Sequence, residues 1–234
     1  GHTAIGQQNQ IYSIPAAEAE ESQGSSSAIG NQNVVKGEQA NAIGDGNDAY
    51  GHFTQSVGDD NKVYADHSLG FGAHNKVGAQ RAKGTPEKDV VVDKNTTKAS
   101  VFGLNNVVLG KEVLALGNNN NVNGENSTAI GTQSTADGIN TLAIGTGAKA
   151  HVTNPAAANS NKPGNLIAIG TSAEATAAET VAIGQAAKAS GQNSNAYGSQ
   201  ANASGTSSLA VGTGSVASGD SAVAIGNDST VTGG

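Results

Sequence analysis

The 234-residue chain has no cysteine, methionine or tryptophan, and aromatic residues make up only 3% of it. The lack of cysteine excludes disulfide bonds, and the shortage of large aromatic side chains argues against an ordinary globular core. Charged residues amount to 13%, too few for a highly charged disordered tail. Because the apolar residues are mostly Ala, Val and Ile and there are 33 glycines, the composition favours order that comes from a regular repeat.

Positive charge is also scarce. The formal net charge is −7, which argues against a nucleic-acid partner because phosphate binding needs a basic face. No apolar run reaches the roughly 18 residues that a membrane-spanning helix needs, and no secretory signal peptide is recognisable. If the protein is exported, we expect this sequence to be an internal fragment.

A phrase of small residues recurs every fourteen residues. In fourteen copies an apolar residue, which we call position 0, is followed by glycine at position +1. Position 0 is occupied by Ile5, Ile29, Ile43, Val57, Phe71, Phe102, Leu116, Ile130, Ile144, Ile169, Ile183, Tyr197, Val211 and Ile225. Fourteen residues are too few for a helical repeat but suffice for two short strands and two tight turns. Each copy is therefore predicted to form one coil of an all-β, parallel β-solenoid.

We expect residues 1–234 to form a single domain of this kind. Position 0 and the apolar residue at +6 are predicted to fill the narrow interior, whereas Ala at −1 and Gly at +1 would form a bare, flat outer wall. Such a wall suits close packing of backbones, and one chain offers little core of its own. Several chains are therefore expected to pack along the wall, most simply as a homotrimer. A monomeric solenoid is the alternative.

Position +4 is asparagine in the first half of the chain. The residues are Asn9, Asn33, Asn47, Asn61, Asn75, Asn106 and Asn120. Stacked Asn side chains form hydrogen-bonded ladders, and Asn also tolerates the left-handed turn conformation. We predict a structural role for these residues rather than ligand binding.

Four phrases show the repeat most clearly. They are Ser27-Ala28-Ile29-Gly30, Thr128-Ala129-Ile130-Gly131, Val181-Ala182-Ile183-Gly184 and Val223-Ala224-Ile225-Gly226. These phrases and their spacing resemble the head motif of YadA-like trimeric autotransporter adhesins, approximately Asn-Ser-Val-Ala-Ile-Gly. The resemblance covers nearly the whole chain. It implies a left-handed parallel β-roll, a homotrimer, and an exposed passenger domain on the bacterial cell surface whose stalk and outer-membrane anchor lie outside this fragment.

Three insertions interrupt the repeat, near residues 14–23, 80–97 and 153–164. Each follows position +8, so all three are expected on one edge of the roll, and insertions on one face of a repeat protein often form its binding face. The candidate binding residues are Glu18, Glu20, Glu21, Arg81, Lys83, Lys88, Val90, Val91, Val92, Lys94, Asn154, Pro155 and Asn159.

The apolar triplet 90–92 is the sharpest of these candidates. Inside a charged loop, three valines suggest an adhesive hot spot. The alternative is an added strand that covers the edge of the roll or clasps a neighbouring subunit. The acidic residues of the first insertion fit a short helical or solvated loop better than a ligand site.

Catalytic and metal-binding patterns are weak. The five histidines have no metal-ligand spacing, and no serine has a plausible His and Asp beside it. A cluster of acidic residues on adjacent coils permits a Ca²⁺ site, although the Ca²⁺-binding nonapeptide signature is missing. That cluster comprises Asp45, Asp48, Asp59, Asp60 and Asp66. We expect no cofactor, no metal and no enzymatic activity.

The favoured function is therefore multivalent adhesion. In this interpretation the chain is the head of a bacterial adhesin that binds host extracellular matrix or a host cell-surface glycoprotein. The alternative is a rigid spacer or a self-association module for autoaggregation or biofilm, without its own host receptor. Insertions at one phase favour adhesion, because a spacer does not need them.

Overall fold

Every repeat supplies two short strands. The computed structural model describes residues 1–12, 24–79, 92–152 and 164–233, and among these it contains strands and no helix. The odd-numbered strands form one parallel sheet, the odd sheet, and the even-numbered strands form a second, the even sheet. The predicted all-β parallel solenoid with fourteen-residue coils is confirmed. Left-handed winding and trimeric assembly stay predictions.

The first of two compact units is Gly1–Asn118. Its odd-sheet strands are β1 (Thr3–Gln7), β3 (Ser27–Asn31), β5 (Asn41–Asp45), β7 (Gln55–Asp59), β9 (Leu69–Ala73), β11 (Ser100–Leu104) and β13 (Leu114–Asn118). Its even-sheet strands are β2 (Gln10–Tyr12), β4 (Val34–Lys36), β6 (Asp48–Tyr50), β8 (Lys62–Tyr64), β10 (Lys76–Val77) and β12 (Val107–Leu109). Equivalent repeat positions lie side by side, as Ile29 does with Ile43.

The second unit is Asn119–Gly234. Its even-sheet strands are β14 (Asn121–Asn123), β16 (Thr135–Asp137), β18 (Lys149–His151), β20 (Glu174–Ala175), β22 (Lys188–Ala189), β24 (Asn202–Ala203), β26 (Val216–Ala217) and β28 (Thr230–Val231). Its odd-sheet strands are β15 (Thr128–Thr132), β17 (Leu142–Ile144), β19 (Ile167–Ile169), β21 (Val181–Ile183), β23 (Asn195–Tyr197), β25 (Leu209–Val211) and β27 (Val223–Ile225). Register is kept across the third insertion, since Ile144 pairs with Ile169.

The interior of each coil is filled by positions −1 and +6. Ala28 and Val35 are completely buried and belong to one apolar cluster, whereas Ile29 at position 0 remains 37% exposed. The prediction that position 0 fills the interior is therefore wrong. The space between the two sheets of so thin a coil accepts Ala and Val, and successive strand residues point to opposite faces, so the bulky residue at position 0 points outward.

The glycine at +1 is required by the backbone. At Gly44 the φ angle is +122°, and a Cβ there would overlap the carbonyl oxygen of Gly58 in the next coil. Only glycine adopts such a conformation without strain. Gly at +1 is thus explained by the close stacking of coils, and the predicted Ala/Gly outer wall does not exist.

The left-handed corner residues sit at +3 and +10, seven residues apart. Gln32 and Gln39 have φ values of 54° and 51°. Asparagine at +4 does not adopt this conformation in the coil of Gln32, so that part of its predicted role is wrong. The predicted ladder is present, however. Nδ2 of Asn33 donates to Oδ1 of Asn9 at 3.0 Å, and the same contact joins each following pair as far as Asn106.

Strand length follows the hydrogen-bond partner of the backbone N–H at +4. Where this N–H donates to the Asn side chain of the preceding coil, as in Asn47 to Asn33 at 3.1 Å and Ser134 to Asn120 at 3.0 Å, the strands β5 and β15 run for five residues. In the second unit Ala173 instead donates its backbone N–H to Gly170 of its own coil at 3.2 Å. This tighter turn ends β19 after three residues.

Candidate binding surfaces

The outer face of the odd sheet is apolar. In the second unit, eleven outward residues at positions −2 and 0 are aliphatic: Ile130, Leu142, Ile144, Ile167, Ile169, Val181, Ile183, Leu209, Val211, Val223 and Ile225. Ile183 is 37% exposed and Ile225 65%. Monomeric soluble proteins rarely expose a contiguous apolar patch of this extent. This face, in place of the Ala/Gly wall, is the surface that suits a protein partner.

In the first unit the same face is apolar in one column and partly polar in the other. Position 0 carries exposed Ile5, Ile29, Ile43, Phe71, Phe102 and Leu116, and the rings of Phe71 and Phe102 stack with centroids 6.2 Å apart. Position −2 carries Asn41 and Gln55, whose side chains share a 3.2 Å hydrogen bond.

The outer face of the even sheet in the second unit is polar. Glu174 lies between two lysines, with Nζ of Lys149 at 3.6 Å and Nζ of Lys188 at 3.5 Å from its carboxylate oxygens. Further along, the exposed outward residues are the short polar side chains of Ser190, Ser204, Ser218 and Thr230, and the outward Val216 is half-buried. The two sheets of this unit therefore present chemically opposite outer faces.

In the first unit the even sheet carries a buried aromatic pair. Tyr50 and Tyr64 at position +7 are fully buried although +7 points outward, and their rings meet edge to face with centroids 4.9 Å apart. The hydroxyl of Tyr64 donates to the buried carboxylate of Asp48. Nζ of Lys62 lies 3.4 Å from the other oxygen of that carboxylate.

Val92, the one described residue of the predicted triplet, packs against this aromatic pair and Val34. Its apolar side chain therefore contacts residues of the same chain. Lys94, also a candidate, is exposed and forms a 2.6 Å ion pair with Asp66. Val92 therefore lies against the even sheet, whereas Lys94 pairs with a residue in the turn that follows β8.

Asp93 ties together the two ends of the second insertion. Its carboxylate accepts the backbone N–H of Ala79 at 2.9 Å, where the chain leaves the coil, and that of Asn95 at 2.9 Å, where it returns. Oγ1 of Thr96 donates to it at 2.8 Å. Partial burial alone would raise the pKa of Asp93, but these hydrogen bonds outweigh it and hold the pKa below its usual value. The coil resumes at Thr97, which bridges to Asp66 and Lys111.

The remaining candidate residues cannot be placed. Outside the described residues lie Glu18, Glu20, Glu21, Arg81, Lys83, Lys88, Val90, Val91, Asn154, Pro155 and Asn159. Their binding roles stay predictions. What can be placed is the base of the second insertion, on the side of the roll that the even sheet faces.

The acidic cluster forms ion pairs. Asp60 lies 3.0 Å from Nζ of Lys62 and 3.3 Å from Nδ1 of His74. Partial burial would raise the pKa of Asp60, but Lys62 and then His74 outweigh this and lower it. Among the described residues, no group of three His, Cys, Asp or Glu side chains is arranged to hold a metal ion.

Comparison with known families fits this geometry. The family model described as YadA head domain repeat (2 copies) matches residues 110–134, 123–148, 136–153, 167–187, 175–201, 189–215 and 203–229. Residues 110–229 of this chain belong to the YadA-like head domains. These matches begin at the end of the first unit, whose coils keep the same register but carry Asn at +4. No curated protein matches the chain. Within the described residues of this YadA-like head, no helix has the length and apolarity needed to cross a membrane.

Sequence reasoning missed the outward apolar columns. The signal was present, because residues at −2 and 0 share a face by strand periodicity and both are large, as Val181 and Ile183 show. No such signal marks the Tyr50–Tyr64 pair, because residues from outside the two coils, such as Val92, pack against it.

Proposed function

We propose that this chain is the head module of a trimeric adhesin exposed on the bacterial cell surface and anchored in the outer membrane by a segment outside it. Three copies pack through their odd sheets, and the even sheets and insertions face outward. This is a binding role without a chemical reaction. Its partners are host matrix proteins or host cell-surface glycoproteins, bound through many weak contacts at once.

The contrast between the two outer faces supports this proposal most directly. Exposed aliphatic columns on the odd sheet favour burial against another protein surface. A standard interface buries about 800 Å² of each partner, and at position 0 the aliphatic column runs along every odd strand of the second unit except β23. The even sheet of the second unit is mainly polar and has no comparable need to be covered, so it stays available for contacts with a host.

A rigid spacer or self-association role is the second candidate. From Asn165 to Val231 the coils follow one another without insertion, and the outward residues on the even sheet are mainly short and polar. Such a segment adds length without an evident contact element. The adhesin and the spacer or self-association module differ in whether the insertions bind a host partner.

Light scattering tests the assembly. The chain has a mass of 22.9 kDa, and we expect three times that mass for the wild type. Replacing Ile169, Ile183 and Val211 by Asp places three charges on the odd sheet and should give monomers. The matched control places Asp at Ser190, Ser204 and Ser218, which are exposed on the even-sheet side, and should leave the trimer intact. A monomeric wild type would refute the assembly.

Binding to immobilised matrix proteins and to host cells tests the adhesive role. We expect the trimer to bind, and deletion of residues 80–91, which joins Ala79 to Val92, to weaken binding. Deletion of residues 153–163 is the parallel variant. A trimer that binds no host component but aggregates bacteria that display it would instead support self-association.

A further inference from the structure

One coil of the second unit departs from the repeat only where it faces outward. In β23 the outward residues are Asn195 at −2 and Tyr197 at 0, in place of the aliphatic residues of other coils. The inward residues Ser194 and Ala196 are completely buried, as the repeat requires. Interior packing therefore does not explain Asn195 and Tyr197, and the reason for these two residues is to be sought in contacts of the outer face.

Asn195 and Tyr197 form a polar band across an apolar face. Asn195 lies in register between Val181 and Leu209, and Tyr197 between Ile183 and Val211. The nearby odd strands on both sides, from β17 to β27, carry aliphatic residues at both outward positions. Nδ2 of Asn195 lies 3.5 Å from the carbonyl oxygen of Asn193, at the long limit of a hydrogen bond. Tyr197 is 38% exposed.

A polar band distinguishes between alignments of two copies, whereas aliphatic columns do not. Identical apolar coils stack against a second copy almost equally well when one copy is shifted by one repeat. A shift that places Asn195 against aliphatic side chains leaves its amide buried without a partner, which costs free energy. A single polar residue in an apolar interface fixes register in this way in coiled coils, at some cost in stability.

We propose that Asn195 and Tyr197 set the axial register between copies of this chain. The polar band of one copy meets the polar band of another only in the unshifted arrangement, where the amide and hydroxyl groups of different copies form hydrogen bonds with one another. This inference rests on the proposed assembly through the odd sheet. In this proposal the two residues determine which alignment of the copies forms, and they do not strengthen the binding between copies.

Cysteine cross-linking measures the register directly, because the chain has no cysteine of its own. Single-cysteine variants are made at Ile169, Ile183, Val211 and Ile225, which include two pairs of equivalent positions fourteen residues apart. The variants are refolded together in pairs, and disulfides are formed. The cross-linked pairs show which coil of one copy lies beside which coil of another. We expect the wild-type background to link pairs at a single offset.

The decisive variant restores the repeat with Asn195→Val and Tyr197→Ile. We expect it to assemble with a higher melting temperature and to link, in addition, pairs shifted by fourteen residues. The matched control, Asn202→Val with Ser204→Ile, makes similar changes at outward positions of the even sheet in the same coil and should keep one offset. An assembled Asn195→Val, Tyr197→Ile variant with an unchanged single offset overturns the inference. A wild type that light scattering shows to be monomeric overturns the assembly itself, so the two failures are distinct.

Discussion

Asn47 and Asn33 are stacked at equivalent positions of adjacent coils, and Nδ2 of Asn47 donates to Oδ1 of Asn33 at 3.1 Å with both side chains completely buried. Nδ2 of Asn47 also donates to the carbonyl oxygen of Gly58 at 2.7 Å. One side chain thus joins three coils and satisfies polar groups that water cannot reach.

Asn47→Ala removes these contacts at once. The backbone N–H of Asn61, which donates to Oδ1 of Asn47 at 3.1 Å, and the carbonyl of Gly58 both lose a partner. Because each buried unsatisfied group costs about 1–3 kcal/mol, we expect the free energy of unfolding to fall by roughly 2–4 kcal/mol, measured by urea denaturation. Asn118→Ala, at an exposed position, is the control and should change it by less than about 0.5 kcal/mol. Equal effects of the two substitutions would contradict the ladder's structural role.

Two glycines in adjacent coils, one at position +1 and one at position +3, are expected to respond differently to alanine. At Gly58 the φ angle is +124° and a Cβ would overlap the carbonyl oxygen of Gly72, whereas at Gly46 φ is +63° and the nearest atom to a Cβ lies 3.7 Å away. Gly46→Ala should therefore cost only about 1–2 kcal/mol, the penalty for a left-handed residue. Gly58→Ala should cost more, because coils must also separate. Urea denaturation of both variants checks this order, and a smaller loss for Gly58→Ala would disprove the stacking argument.

The repeat itself and the buried position +6 were predictable, but the inner and outer faces of the first strand of each coil were not. Strand periodicity shows that Ala28 and Ile29 face opposite sides, and it does not say which side is interior. The larger residue is usually the buried one, and that expectation fails here because the two sheets of a fourteen-residue coil lie too close together for it. The burial of Tyr64 was equally hard to predict, because Val92, which packs against its cluster, lies twenty-eight residues later within the second insertion.

Asp93 should make stability depend on pH. Its folded pKa lies below the usual value, so its contribution is present above the ordinary carboxyl pKa and is lost as pH falls through the folded pKa. We expect the melting temperature of Asp93→Asn to lie below that of the wild type at neutral pH. The gap should close as the pH is lowered to about 3. Parallel curves at all pH values would show that the carboxylate charge does not hold the insertion base.

Val92 should behave as an anchor of the second insertion. Its side chain packs on Tyr50 and Tyr64, so Val92→Ser should expose part of this pair and lower the free energy of unfolding by about 1–2 kcal/mol, given that full burial of a valine contributes roughly 1.5–3 kcal/mol. The near-ultraviolet circular dichroism of tyrosine should weaken as the rings gain freedom, and no tryptophan obscures it. Val107→Ser is the matched control, because Val107 lies on the same sheet face and is 40% exposed. An unchanged tyrosine signal in Val92→Ser, or the same loss in both variants, would mean that the aromatic pair is held by other parts of the chain.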